Sequence, residues 1–338
     1  MPRFRFAALL LAGLVASGAR AADHAVVFMY HHFGQTGLPA TNIRLEQFEA
    51  HLDYLAAENY TVWPLSRVVQ ALRTGESMPE RTVALTADDA YRSVMTEAWP
   101  RLKARGWPFT LFVATDQVDG GGKRLLNWDE VRRLRDEGME IAAHSAAHGH
   151  MADMTPEAAA ADFERANRRF RKELGFTPEI LAYPYGEYSR ALIDVARQAG
   201  YSAAFGQHSG PVGPGRPIMA LPRFALNERF GEMERFRTAA ASLPLPVADP
   251  EPADTLLPAG ATPLIAFTLQ GGVAPEAVAC FHSSAPGPLP LAIEGQRISF
   301  EFPVPAQPGR SRFNCTAPAG EGRFYWYGRQ FVVKGGRD

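Results

Sequence analysis

Between residues 25 and 227, short apolar runs alternate with stretches whose apolar residues recur every three or four positions. The runs 25–30, 82–86, 109–114, 139–144, 179–184 and 201–206 predict strands. Between them, 45–59 sets Leu45, Phe48, Leu52 and Leu55 on one helical face, and 93–104 also reads as helix. The stretch 128–138 predicts a helix stopped by Gly138. The stretch 155–175 has Thr155 as a cap, Pro156 in the first turn and Gly175 at the close. A last helix covers 189–200. Strand and helix recur about every 30 residues, which predicts a parallel α/β barrel or a doubly wound sheet. The pattern breaks at 242–263, where prolines 244, 246, 250, 252, 258 and 263 predict an extended linker. From 264 to 338 the period becomes two, which predicts a small β-sandwich-like domain. The aromatic run Phe324 to Tyr327 fits a strand with alternate residues in a core better than a platform for sugar rings.

The N-terminus changes the picture of compartment. Arg3 and Arg5 precede an apolar stretch over 6–15 and a small-residue site at Ala19-Arg20-Ala21, which predicts a signal peptide over 1–21 and a first domain over 22–241. The apolar stretch is short for a membrane span, so a periplasmic or secreted chain that is not transmembrane is expected. Cleavage after Ala21 removes Arg3, Arg5 and Arg20 and no acid, taking the formal charge from -1 to -4. A weakly acidic chain offers no basic field for nucleic acid. Cys280 and Cys315, the two cysteines, are expected to form one disulfide in an oxidising compartment.

Candidate chemistry gathers where the predicted strands end, as parallel α/β folds require. One end carries Asp88-Asp89, one His31-His32, one His144, His148 and His150, and one His208. Two adjacent carboxylates behind a buried strand repel each other and are poorly solvated, so the pair needs a compensating charge. His144 and His148 lack the following Glu of the zinc-protease helix motif and follow a strand. A tight loop at that strand end can still aim both rings at one point. Two imidazoles and one carboxylate make a three-ligand site for Zn²⁺, with Co²⁺ or Ni²⁺ also suited. The second carboxylate is then a general base.

These residues resemble the polysaccharide deacetylases of carbohydrate esterase family four. The family's three ordered motifs stand here as Thr86-Ala87-Asp88-Asp89-Ala90, His144-Ser145-Ala146-Ala147-His148 and Ala182-Tyr183-Pro184-Tyr185-Gly186. "FMYHHFG" and "LPRF" (221–224) resemble its exported poly-N-acetylglucosamine deacetylase branch. The resemblance implies a distorted (β/α) barrel and metal-dependent removal of N-acetyl groups from a β-linked N-acetylglucosamine polysaccharide by metal-bound water. It implies Asp88 as base, Asp89, His144 and His148 as metal ligands, and the Tyr185 backbone N–H as an oxyanion donor. Trp128 and Asp129 are similar to the family's pocket-shaping Trp/Asp element, and His31, Tyr183 and Pro184 are expected against the substrate. The family's late acid motif is absent, and His208 is the substitute expected. Ala90 replaces a Gly, so its backbone either avoids positive φ or bears the strain. Ala182 replaces an Arg that pairs with the base, which leaves the Asp88 pKa without that support. An O-deacetylase on another acetylated polysaccharide, or a carbohydrate-binding protein with weakened catalysis, would carry much the same sequence. Polysaccharide export machinery is a further partner to consider.

Overall fold

The computed structural model describes residues 21–336, so the expected signal peptide lies, but for its last residue, outside the described residues. Seven strands build one parallel sheet: β1 Val26–Tyr30, β2 Thr82–Asp88, β3 Thr110–Val113, β4 Glu140–Ala143, β5 Ile180–Ala182, β6 Ala203–Phe205 and β7 Phe224–Ala225. Their order is β6-β5-β4-β3-β2-β1-β7, and the short strand Thr61–Val62 also pairs with β2. Both faces are covered, which is why the runs read as continuous apolar stretches. Outward, Val26, Phe28, Val83 and Leu85 join Phe48, Leu52 and Leu55 of helix α1 (Leu45–Ala57) in one core. Inward, Val27, Ala84, Phe112, Ala142, Ala182 and Phe205 form a second core. Leu65, Val68 and Val69 of helix α2 (Leu65–Thr74) belong to it. The alanines at 84, 142 and 182 keep this concave side narrow, so the sheet curls into a distorted barrel.

Between β6 and β7 the barrel closes only through an isolated parallel bridge, Phe205 to Leu221. Residues 218–223 bridge the gap, with Leu221 N–H donating to the Ala204 carbonyl and Gly206 N–H to that of Leu221, both at 2.9 Å. This crossing segment carries Arg223 to the mouth. Helix α3 (Trp128–Asp136) starts at a box in which Asn127 and Glu130 cap each other. Helix α4 (Pro156–Leu174) starts at the expected Thr155 cap and ends at left-handed Gly175.

The C-terminal region is a sandwich of two four-stranded sheets. One runs β8 (Leu243–Pro244), β15 (Phe324–Val333), β14 (Gly309–Pro318), β11 (Ala279–His282). The other runs β9 (Val247–Glu251), β10 (Leu264–Leu269), β13 (Arg297–Glu301), β12 (Ala292–Glu294). Phe267, Ile298 and Phe300 of one sheet meet Phe313, Tyr327 and Phe331 of the other in a single core. Cys280 and Cys315 stand directly opposite on β11 and β14 and are joined by a disulfide. The stretch 242–263 differs from the linker expected of it. Pro244, Pro246, Pro250 and Pro252 sit in or beside β8 and β9, each at the edge of its sheet, where a missing N–H is tolerated, while Pro258 and Pro263 lie in the irregular stretch before β10. Among the described residues no helix is long and apolar enough to cross a membrane.

Candidate active site

Asp88 is the last residue of β2, and the chain then turns through two left-handed residues, Asp89 (φ 75°) and Ala90 (φ 51°). Ala90 thus adopts the backbone a glycine would take freely, at a cost on the order of 1–2 kcal/mol. The turn breaks the alternation of the strand. Asp88 Oδ2 and Asp89 Oδ1 both face His144 Nε2, at 3.9 and 3.5 Å. This resolves the puzzle of two adjacent carboxylates behind an apolar run.

His144 follows β4, and its Nδ1 lies 2.7 Å from the Ala182 carbonyl. A carbonyl only accepts, so Nδ1 carries the proton and Nε2 presents its lone pair to the mouth. Burial lowers the His144 pKa to about 4, which keeps that lone pair unprotonated. The loop to His148 is wrapped around buried Asp162, whose carboxylate accepts from Ala146 N–H at 2.8 Å and Ala147 N–H at 3.0 Å. Ser145 and His148 take positive φ, and Ser145 Oγ accepts from His148 N–H. The two imidazoles end 4.8 Å apart between centroids. His148 Nε2 approaches Asp89 Oδ1 to 2.9 Å, yet that oxygen and His144 Nε2 are buried without an aligned hydrogen bond.

The candidate ligand atoms of Asp89, His144 and His148 lie within 4.8 Å of one another. Orphaned buried acceptors on a carboxylate and an imidazole fit a divalent cation. The charges agree. Burial would raise the Asp89 carboxyl, but the His148, His31 and His144 imidazoles hold it well below the usual range. Burial would lower His148, but the Asp89 carboxylate raises it.

Asp88 is anchored by a residue the sequence reading did not assign. Fully buried Arg223 donates Nη1 to Asp88 Oδ1 at 2.7 Å and Nη2 to Oδ2 at 2.9 Å. The same guanidinium reaches the Gly206 carbonyl and Thr86 Oγ1 and lies over the Phe112 ring. Burial alone would raise the Asp88 carboxyl; Arg223 outweighs it and keeps the pKa below its ordinary value. The support expected to be lost at Ala182 is therefore supplied from 223. The signal was present: one arginine inside the apolar run "MALPRFAL" must find a buried acid. Tyr91 also joins the site. Burial, then the Asp89 carboxylate it hydrogen-bonds, raises its phenol above the ordinary value, and its ring stacks on His32 at 3.6 Å.

The other expected residues divide. His31, at the end of β1, stands with Nε2 4.0 Å from Asp89 Oδ2. Tyr185 takes left-handed φ of 58° and sets its ring edge-on to His148 at 4.8 Å. Tyr183 is buried, with its hydroxyl donating to the Met219 carbonyl, and Pro184 is buried beside it. Trp128 donates its indole N–H to Asp119, while Asp129 points to solvent and pairs with Arg132. The Trp/Asp pair is thus a helix start, and no contact joins it to the triad among the described residues. His208 is enclosed near Arg216, Arg329 and Arg312; burial first, then those cations, lower it to about 3. That shift disfavours the protonated form that a general acid needs.

Residues 75–204 match the family model "Polysaccharide deacetylase". A Bacillus subtilis chain whose name provisionally makes it a polysaccharide deacetylase is 23% identical over 197 residues, 58% of this chain and 69% of that one. The poly-beta-1,6-N-acetyl-D-glucosamine N-deacetylase of Escherichia coli K12 is 25% identical over 210 residues; the match takes in 50% of this chain and 31% of the relative. The fold of a Streptococcus pyogenes deacetylase in complex with acetate superposes with a TM-score of 0.59 at 20% identity, over 64% of this chain and 98% of that one.

Proposed function

We propose, from the match of residues 75–204 to the polysaccharide deacetylase model, that this protein is an exported, metal-dependent hydrolase that frees acetate from the N-acetyl groups of a β-linked N-acetylglucosamine polysaccharide. One observation carries the reading: orphaned Asp89 Oδ1 and buried His144 Nε2 converge beside a second carboxylate, Asp88, clamped by Arg223. Asp89, His144 and His148 hold the ion, Zn²⁺ by donor set. When bound, such an ion polarises the acetyl carbonyl and acidifies water.

The rest falls to side chains of this chain. Asp88, kept ionised by Arg223, takes the proton of the attacking water. The Tyr185 N–H meets the oxyanion that forms on the acetyl carbon. His31, 4.0 Å from Asp89, replaces His208 as the donor to the departing amine. The products are a free amine on the sugar and acetate. The basic start, apolar stretch and small-residue site of residues 1–21 support export.

The test is acetate release from partially acetylated β-1,6-linked glucosamine oligomers, with chelator and with Zn²⁺ restored. Release that chelator stops and Zn²⁺ restores is expected. Asp88→Asn should keep stoichiometric metal and release no acetate. Full activity in that variant would remove Asp88 from the base role. Release from O-acetylated xylan alone would move the substrate to esters.

A further inference from the structure

The matched deacetylase fold accounts for 64% of this chain and almost all of its counterpart, so the sandwich is an addition to it. That addition reaches into the site. Gln330 on β15 is buried and donates Nε2 to the Tyr185 carbonyl at 3.0 Å. Its amide cannot be turned round, because Oε1 already accepts from Arg312 Nε at 2.7 Å across the β14–β15 ladder. Arg310 on β14 donates Nη1 to the same carbonyl at 3.4 Å and holds its guanidinium 5.2 Å from the Tyr185 ring centroid.

From the barrel side, His150 stacks on the Tyr185 ring at 4.2 Å with planes 10° apart, and buried Glu187 holds the His150 Nδ1 at 2.9 Å. His148 meets the ring edge. A tyrosine at φ 58° and ψ 6° is strained, and such a conformation persists where its surroundings over-determine it. Here the surroundings are half barrel and half sandwich. Fixing the carbonyl and the ring of one residue fixes its Cα, and with it the direction of its N–H.

We propose that Gln330 and Arg310 are positioning residues for the oxyanion donor, so that the C-terminal sandwich is a working part of the deacetylase site and not an appended module. The proposal rests on the assignment of the Tyr185 N–H made above. The sandwich is docked by other contacts as well: Thr255 Oγ1 donates to the Tyr188 carbonyl, Arg216 to that of Trp326 at 3.0 Å, and Trp326 packs edge-on to Phe224. Removing one amide therefore leaves the sandwich in place.

The test uses the full chain with Gln330→Leu, Gln330→Glu and the double variant Gln330→Leu/Arg310→Met. Two readouts are taken together: kcat and KM for acetate release, and hydrogen exchange of residues 183–188 against that of 144–148. In Gln330→Leu, kcat is expected to fall at least tenfold with KM and bound metal within twofold. Gln330→Glu should match it, because an ionised carboxylate cannot donate to a carbonyl. The double variant should fall further, with faster exchange at 183–188 and none gained at 144–148. A kcat within twofold of the wild type in the double variant, or a loss confined to KM, overturns the proposal. Faster exchange at 183–188 in a chain whose wild type releases no acetate keeps the clamp and overturns the oxyanion role of Tyr185. Unchanged exchange overturns the clamp itself.

Discussion

The barrel mouth and the contact between barrel and sandwich both bury arginine and histidine, and they use them in opposite ways. At the mouth, Arg223 is paired with both oxygens of Asp88, and His144 and His148 look onto Asp89. At the contact, Arg216 and Arg329 have no carboxylate partner among the described residues. Arg216 lies over the Tyr327 ring and donates to carbonyls, and Arg329 packs near Phe331. His144 and His208 are both buried and both neutral at pH 7. What separates them is the sign of the surroundings. Carboxylates around His144 attract a cation to its lone pair, and guanidiniums around His208 repel one. A histidine at a strand end becomes a ligand only when acid stands beside it.

The largest effect should come from breaking the pairing at the mouth. Arg223→Met leaves Asp88 charged and alone in the core, and is expected to cost about 3–5 kcal/mol of stability by denaturant titration. Burial would then dominate the Asp88 pKa, so any remaining acetate release should lose its acid limb at higher pH than in the wild type. Arg223→Met/Asp88→Asn should regain much of the stability and none of the activity. A single variant as stable as the wild type would break the comparison, since Arg223 would then be packing and not charge compensation.

The contact region offers the next test. His208→Gln is expected to leave kcat within about twofold, because at neutral pH the protonated form that a general acid needs is disfavoured. Its pH dependence is specific. Folded His208 titrates at about 3 and the unfolded residue near its ordinary value of 6.5, so the unfolded chain binds more protons in between. The stability is therefore fully present above pH 6.5 and drains away as pH falls toward 3. His208→Gln lacks this loss, and its stability relative to the wild type should improve by up to about 3 kcal/mol from pH 7 to pH 4. An equal acid sensitivity in both proteins would place the titration elsewhere.

The same contrast explains what could be read from the chain. The strands were legible because both faces of the sheet are apolar, and Asp88, Asp89, His144 and His148 were legible as candidates because they fall in two tight clusters at the ends of β2 and β4, the strands that flank β3. The Arg223–Asp88 pair spans 135 residues of sequence, and only the crossing of 218–223 over the open side of the barrel brings the partners together. His208 was drawn into the candidate set because a strand-end histidine looks the same in sequence whether acids or arginines lie opposite. Part of the stretch expected to be linker is strand for a related reason. Prolines mark extended chain, and an edge strand is extended chain whose missing N–H faces outward. Gln330 could not have been found at all, since a single glutamine in a strand pattern carries no signal of the carbonyl it will meet.

The smallest effect is expected at Asp129, and it tests the boundary of the mouth. The Asp129 side chain is 87% exposed and pairs with Arg132 one turn along α3. An exposed pair of this kind is screened by solvent and contributes little. Asp129→Ala should therefore move the melting temperature by no more than about 1–2 °C and leave kcat and KM unchanged. Trp128 beneath it is committed to Asp119 and to the edge of Phe170, so the start of α3 is held without Asp129. A tenfold loss of kcat in Asp129→Ala would mean that the field of this helix start reaches Asp88 after all. The division drawn here, between carboxylates that face the triad and carboxylates that merely begin a helix, would then have to be redrawn to include α3 in the site.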